Sequence, residues 1–211
     1  MKRKPARGQI NHVLDALRLR YGLPRGGRDP FRVLVATVVS QRCRDEVTDE
    51  VTERLFERFE DIGQIARASL PDLEGALRKS GLYRQKALRI REIARTLLAE
   101  HGGGVPDTLE ALTSLPGVGR KTANCVLNYG FGREAIAVDT HVHRITNRLG
   151  WVKTRTPDDT EKTLMLLVPR NRWAEVNSVF VDFGREICAP RRPRCHECPF
   201  KGFCPTGGKN A

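Results

Sequence analysis

Apolar residues recur at the period of an α-helix along most of this 211-residue chain, and this pattern restricts the fold more than any other feature. Between residues 9 and 20, one helical face carries Ile10, Val13, Leu14 and Leu17. The segment 31–59 is rich in β-branched residues near its start, which is typical of a strand, but its apolar residues recur at the period of a helix. No hairpin or strand–helix–strand pattern interrupts these segments. We therefore predict an all-α fold, with helices over 9–20, 31–59, 61–68, 72–79, 85–100, 108–114, 120–130, 140–149, 158–168 and 171–187.

Positive charge dominates the composition: 37 Lys and Arg face 25 Asp and Glu, a formal net charge of +12. A polyanionic partner is favoured, because Lys and Arg that neutralise phosphates release counterions. The 39% hydrophobic content suffices for a packed core and argues against intrinsic disorder. No stretch approaches the roughly 18 apolar residues of a membrane span, and no signal-peptide core follows the basic start. We expect an intracellular protein of the cytoplasm or nucleoid, but charge alone does not separate an enzyme from a passive binder.

A sharp turn at residues 115–119 joins the predicted helices 108–114 and 120–130. Pro116 ends the first helix, and Gly117 and Gly119 permit positive φ and the close approach of another backbone. Such a turn leaves N–H groups unpaired at the start of the second helix, which favours an anion such as a DNA phosphate. The alternative is that the turn only joins two packed helices.

Lys121 and Asp139 are the candidate catalytic residues. Lys121 lies in the first turn of a helix, where the helix dipole disfavours a cation, and a neutral lysine can form a Schiff base. Its alternative role is a solvated charge or a phosphate contact. Asp139 precedes a predicted helix and is also expected to act as its N-cap. His141 and His143 diverge on that helix, so contact with solvent or DNA is more plausible than metal ligation.

Four of the six cysteines crowd the last 24 residues, with gaps of six, two and five residues; they are Cys188, Cys195, Cys198 and Cys204. A chain of this size without a secretion signal favours metal ligation over disulfides. Four thiolates suit zinc or an iron–sulfur cluster, and their chemistry does not choose between them. Cys43 and Cys125 lie on apolar helical faces, and we expect both to be small buried hydrophobes.

Three motifs together resemble the endonuclease III family of helix-hairpin-helix DNA glycosylases with AP lyase activity. They are Leu115-Pro-Gly-Val-Gly-Arg-Lys-Thr-Ala123, Ile136-Ala-Val-Asp-Thr-His141 and the cysteine pattern at 188–204. The similarity in order and spacing runs from about residue 10 to 205. It implies a two-lobed fold, with a six-helix barrel over 28–133 that includes the helix-hairpin-helix at about 108–130. Residues 1–27 and 134–211 would form the cluster domain, which would place Lys121 and Asp139 on opposite sides of a DNA-binding cleft.

The resemblance also implies the chemistry. Lys121 would attack C1′ of a damaged pyrimidine nucleotide flipped out of double-stranded DNA, and Asp139 would assist base departure. The resulting imine permits β-elimination, which breaks the strand 3′ to the abasic site. We expect a monomeric enzyme that acts on oxidised pyrimidines or AP sites. The alternatives are a monofunctional mismatch or base glycosylase of the same fold, whose known members commonly lack this lysine, and a non-catalytic DNA-binding protein.

The cysteine spacing matches the [4Fe–4S] pattern of the family without a gap, and structural zinc is the alternative. Such a cluster would hold Arg191, Arg192 and Arg194 in a rigid array facing phosphate. The alternative is that these arginines belong to a basic surface loop that makes no contact with DNA.

The other DNA contacts implied by the resemblance are the hairpin residues Gly117, Gly119 and Arg120, together with His141 and two probing loops. Leu82 resembles the leucine that wedges into the duplex; its alternative role is a core leucine. In the other loop the family pattern has a glutamine where ungapped alignment places Arg42, next to Gln41, so either could reach the orphan base.

Overall fold

The computed structural model describes residues 5–23 and 26–207, and these contain helices and no strand. The predicted all-α class is confirmed. The helices are α1 (Arg7–Tyr21), α2 (Pro30–Val39), α3 (Asp45–Arg58), α4 (Ile62–Arg67), α5 (Leu70–Leu77), α6 (Tyr83–His101), α7 (Leu109–Ser114), α8 (Arg120–Cys125), α9 (Thr140–Arg148), α10 (Pro157–Leu167) and α11 (Trp173–Glu186). A π-helix, Val126–Gly130, directly continues α8, and a short 3₁₀ turn, Arg170–Arg172, precedes α11. The predicted cluster domain also includes residues 1–4, 24–25 and 208–211, which lie outside the described residues.

The chain divides into two compact units. One comprises residues 26–132, and the other combines residues 1–25 with 133–211. In the first unit, α4 and α5 pack on α6, while α2 packs on α3, α8 and the π-helix. Its core includes Leu34, Leu55, Leu73 and Ile90, none of which is measurably exposed. Each such side chain contributes about 1.5–3 kcal/mol by leaving water.

The span predicted as one helix over 31–59 is two helices, so that prediction was wrong between Val39 and Asp45. Ser40 Oγ donates a hydrogen bond to the Thr37 carbonyl, and Arg42 has φ of +53°. A helix cannot continue through a left-handed residue, and the serine side chain satisfies a carbonyl that the next turn would have used. The segment Ser40–Arg44 is called the first loop below.

The second unit has a core of apolar residues from α1, α9, α10, α11 and the cysteine-bearing segment. Phe180, Phe183 and Phe200 are its largest fully buried side chains. Two local features were predictable from sequence. The Thr156 hydroxyl caps α10 by accepting a hydrogen bond from the Asp159 N–H, and Pro157 occupies the first helical position.

A hydrogen-bonded network joins the carboxyl end of α1 to that of α11. The Tyr21 hydroxyl donates to Glu186 at 2.6 Å, and Arg20 pairs with the same carboxylate. The bonds from Arg20 and then Tyr21 hold the pKa of Glu186 below its usual value.

No described helix is both long and apolar enough to cross a membrane.

Candidate active site and cysteine cluster

The turn between α7 and α8 ends at Gly119, the N-cap residue of α8. Gly117 has φ of +67°, and a Cβ there would collide with the Arg89 side chain, so this position requires glycine. Gly119 has φ of −90° and open space around it, so it does not use the positive φ that glycine permits, while room for another backbone remains. No side chain caps α8. The first turn of α8 therefore receives no hydrogen bond from a capping side chain at Gly119.

Lys121 follows this turn directly and is partly exposed, whereas residues 122–128 are all buried. Its amine is thus carried by a helix whose position is determined by core packing. Arg120, beside it, is also partly exposed. The amine of a side chain with four rotatable bonds is positioned more precisely when packing holds the helix that carries it.

Asp139 is the N-cap of α9, as the sequence predicted. Its Oδ1 accepts hydrogen bonds from the N–H groups of His141 and Val142, at 2.9 and 2.8 Å. Because Oδ1 makes both bonds, Oδ2 lies outside the cap. The buried segment 135–138 leads into this residue, and Asn177 of α11 holds it by donating to the Ala137 carbonyl at 2.9 Å.

The two histidines of α9 have different surroundings. His143 Nδ1 lies 2.7 Å from the Thr160 hydroxyl of α10, and the side chain is partly exposed, so its contact with solvent or DNA stays a prediction. His141 Nδ1 lies 3.2 Å from Arg144 Nη2. Gly184 of α11 gives the pair room, since a Cβ there would collide with His141 Nδ1.

The first loop lies against the segment that precedes α6, which consists of Gly81 and Leu82 and is called the second loop below. A Cβ on Gly81 would lie 3.3 Å from the Arg42 carbonyl oxygen. Leu82 is 47% exposed and has φ of +60°, which contradicts a role as a core leucine. Gln41 and Arg42 are exposed. The structure therefore brings together the two loops that the resemblance linked to DNA probing.

The four clustered cysteines line one cavity. Its wall includes the apolar residues Ile145, Leu149, Phe183 and Ile187. Burial raises the pKa of the Cys198 thiol, and the other three cysteines raise it further. Within the described residues, no three His, Cys, Asp or Glu side chains are grouped so that they could hold a single metal ion.

Two arginines of α9 support this cavity, and sequence reasoning missed both. Arg144 Nη2 donates to the Cys188 carbonyl at 2.9 Å, and burial lowers the pKa of Arg144. Arg148 donates to the carbonyls of Ala189 and Pro190 at 2.7 and 2.9 Å, and its Nη1 lies 3.4 Å from Cys188 Sγ. Their separation from Cys188 by 44 and 40 residues gave no local signal.

The basic residues between the cysteines are used in different ways. Arg191 and Arg192 are exposed, and Arg192 has φ of +50°. Arg194 Nε donates to the Glu186 carbonyl at 2.8 Å, and its Nη1 pairs with Glu197 at 3.0 Å. Arg194 therefore anchors its own loop to the end of α11.

The two remaining cysteines differ in their surroundings. Cys125 is buried, as predicted. Cys43 is partly exposed in the first loop, so its expected place on an apolar helical face was wrong.

Comparisons with known proteins bear on both the fold and the site. Residues 35–170 match the family model described as HhH-GPD superfamily base excision DNA repair protein. Endonuclease III of Thermotoga maritima is 56% identical over 176 residues, 83% of each chain. Endonuclease III of Bacillus subtilis is 39% identical over 182 residues, 86% of this chain and 83% of the relative.

Solved structures give the same result. A trapped endonuclease III–DNA covalent intermediate superposes with a TM-score of 0.89 at 37% identity, covering 97% of this chain and 98% of the other. A thermostable thymine-DNA glycosylase reaches a TM-score of 0.87 at 25% identity, covering 96% of this chain and 97% of the other. The chain therefore belongs to the endonuclease III family of base-excision-repair DNA glycosylases, within the HhH-GPD superfamily.

Proposed function

We propose that this enzyme removes oxidised pyrimidines from double-stranded DNA and cleaves the strand 3′ to the abasic site through a Schiff base on Lys121. The observation that carries the proposal is the position of Lys121. It occupies the lysine position of the family motif, and it is the partly exposed residue that opens a buried segment directly after the hairpin turn. A lysine amine is the nucleophile that imine chemistry requires.

The proposed reaction runs from the attack of Lys121 on C1′ to the release of Lys121 by water. The neutral Lys121 amine attacks C1′, the bond from C1′ to the base breaks, and the base leaves with the electron pair and takes up a proton. The bond from C1′ to the ring oxygen then breaks, the ring oxygen takes up a proton, and a protonated imine forms. C2′ loses a proton to solvent, and the bond from C3′ to the phosphate oxygen breaks, so that the 3′ phosphate departs with the electron pair. Water then hydrolyses the imine and releases Lys121. The Asp139 carboxylate, through the oxygen outside the α9 cap, stabilises the positive charge that develops on the sugar.

The DNA contacts follow from exposure and charge. We assign phosphate contacts to the hairpin residues Gly117, Gly119 and Arg120, and to Arg191 and Arg192. Exposed Leu82 acts as the wedge beside the flipped nucleotide, and Gln41 or Arg42 contacts the orphan base. His141 is a further DNA contact. Arg194 acts indirectly, since its bonds to Glu186 and Glu197 hold the loop that carries the other two arginines. The enzyme acts as a monomer, in the cytoplasm or nucleoid.

Sodium borohydride trapping tests this function, because it reduces a protein–DNA imine to a stable amine. We expect the purified protein to become covalently linked to AP-site duplex and to excise dihydrouracil and thymine glycol faster than oxidised guanine. Release of base without a covalent product would show a monofunctional glycosylase. DNA binding without either product would show a non-catalytic binder, and both results would contradict the proposal.

We further propose that Cys188, Cys195, Cys198 and Cys204 hold a [4Fe–4S] cluster. The cavity fits this group because its donors are four thiols, its wall is apolar, and Arg148 places an N–H group 3.4 Å from Cys188 Sγ. A zinc ion would need all four sulfurs about 2.3 Å from one point, whereas a cluster binds each to a different iron. When bound, the cluster supplies a rigid cross-link within the basic loop.

Replacing Cys198 with alanine should remove the cluster, since it deletes one of the four proposed thiolate ligands. We expect wild-type protein to be brown and the Cys198→Ala variant to lose most of its iron and melt at a lower temperature. Iron and sulfide analysis with visible absorbance measures this. The control Cys43→Ala, which lies outside the cavity, should keep its iron. Colourless wild-type protein with one zinc per chain would contradict the assignment.

A further inference from the structure

Lys86 is a buried lysine between the two probing loops. It lies in the first turn of α6, four residues after Leu82, and is only 4% exposed. Its Nζ donates a hydrogen bond to the Val39 carbonyl oxygen, the last residue of α2, at 2.7 Å. Burial lowers the pKa of Lys86, and nearby Cys43 opposes this change. Removing an ammonium group from water costs free energy, and hydrogen bonds to that group offset part of the cost.

The hydrogen bonds at the end of α2 show what Lys86 supplies. The carbonyls of Ala36, Thr37 and Val38 are satisfied locally, by the Ser40 N–H, the Ser40 hydroxyl and the Gln41 N–H. The Val39 carbonyl instead receives its bond from Lys86, across 47 residues of sequence. Lys86 thus caps the carboxyl end of α2 from a different helix, where a cation also complements the helix dipole.

This bond ties the first loop to the second. The first loop begins one residue after Val39, and the backbone of Lys86 is itself bonded to Leu82 through its N–H and the Leu82 carbonyl, at 3.1 Å. A Cβ added to Gly81 would lie 3.3 Å from the Arg42 carbonyl oxygen, so the backbones of the two loops run close together. Arg42 and Leu82 both have positive φ, a strained conformation that persists only where the surroundings hold it.

We propose that Lys86 is a positioning residue that locks the first and second loops into one rigid element, so that the wedge and the orphan-base probe enter the duplex in register. This inference rests on the proposed DNA roles of Leu82 and of Gln41 or Arg42. Lys86 is assigned no contact with the damaged base and no part in the reaction of Lys121. Its role concerns the opening of base pairs, which precedes the chemical steps.

The test compares two substrates in single-turnover assays of Lys86→Met, which keeps the length of the side chain and removes its N–H donors. One substrate is a fully paired duplex with dihydrouracil, and the other carries dihydrouracil within a short unpaired bubble. We expect the rate on the paired duplex to fall about tenfold to a hundredfold, the scale of a positional error near 1 Å. Excision from the bubble substrate needs no base-pair opening. Its rate, normalised to the concentration of folded protein, should change less than twofold.

Two further variants and a spectroscopic signal complete the design. Lys79→Met removes the same charge from an exposed site paired with Glu50, and both of its rates should match the wild type. Gly81→Ala pushes the loops apart with Lys86 intact, and should show the same substrate split if Lys86→Met does not fold. In both loop variants, the fluorescence of 2-aminopurine beside the lesion should rise less on binding, since less unstacking occurs.

The outcomes separate the inference from the proposed function. Equal loss on the paired and bubble substrates, or no loss on either, would overturn the positioning role. A wild-type enzyme that excises and traps neither substrate would instead overturn the proposed function.

Discussion

Replacing Lys121 with alanine should abolish borohydride trapping to AP-site DNA and lower the strand-cleavage rate by at least about a thousandfold, because no other group would replace the proposed covalent nucleophile. The substitution removes a partly exposed side chain and leaves the buried residues 122–128 of the same helical segment unchanged. Folding should therefore be preserved. Gel analysis of the trapped complex and single-turnover cleavage measure the effect.

The matched control is Lys162→Ala, which removes the same charge from an exposed position of α10. It should trap and cleave like the wild type, apart from the small loss of DNA affinity that any lost cation causes. DNA binding by Lys121→Ala should weaken by a similarly small factor. If the alanine variant still trapped as well as the wild type, Lys121 would not be the nucleophile.

Asp139→Asn separates the two roles of this carboxylate. The asparagine side-chain oxygen can still accept the N–H bonds of His141 and Val142, so stability should change by less than about 0.5 kcal/mol. The negative charge is lost, and base excision should slow about a hundredfold to a thousandfold, the scale of removing one stabilising group from a transition state. Single-turnover excision of dihydrouracil and urea unfolding measure the two effects.

If Asp139 acted only as a helix cap, its substitutions would lower stability and leave the excision rate unchanged. Asp139→Ala should lose about 1 kcal/mol of stability as well as activity. Thr156→Ala removes the corresponding cap of α10 and should cost a similar amount with excision unchanged. An Asp139→Asn enzyme with wild-type excision would limit Asp139 to its helix-capping role.

The elements that sequence predicted well are those set by neighbouring residues. The apolar period fixes which face of each helix is buried, and the capping residues Thr156 and Asp139 act within three positions of the bonds they accept. The cysteine spacing likewise points to a shared site, because the four residues lie within one short segment. Each of these signals is local, so it survives without knowledge of the rest of the fold.

The break between α2 and α3 shows where such local reasoning fails. The β-branched stretch of α2 and the acidic start of α3 keep one helical period, so the period did not mark Ser40 to Arg44 as a loop, and only the family resemblance did. The residue that caps the end of α2 is Lys86, on a helix 47 positions away. For the same reason the support that Arg144 and Arg148 give to Cys188 was not visible in the sequence.

The sequence by itself determined the helical class, the polyanionic partner, the lysine nucleophile as a candidate and the cysteine set. The tertiary structure decided the environment of those residues: which arginines are free to contact DNA and which bind the protein's own carbonyls, and that Leu82 is exposed beside the first loop. The physical reason is that periodicity and capping depend on residues within a turn or two. Desolvation and hydrogen-bond satisfaction depend on which distant helices meet.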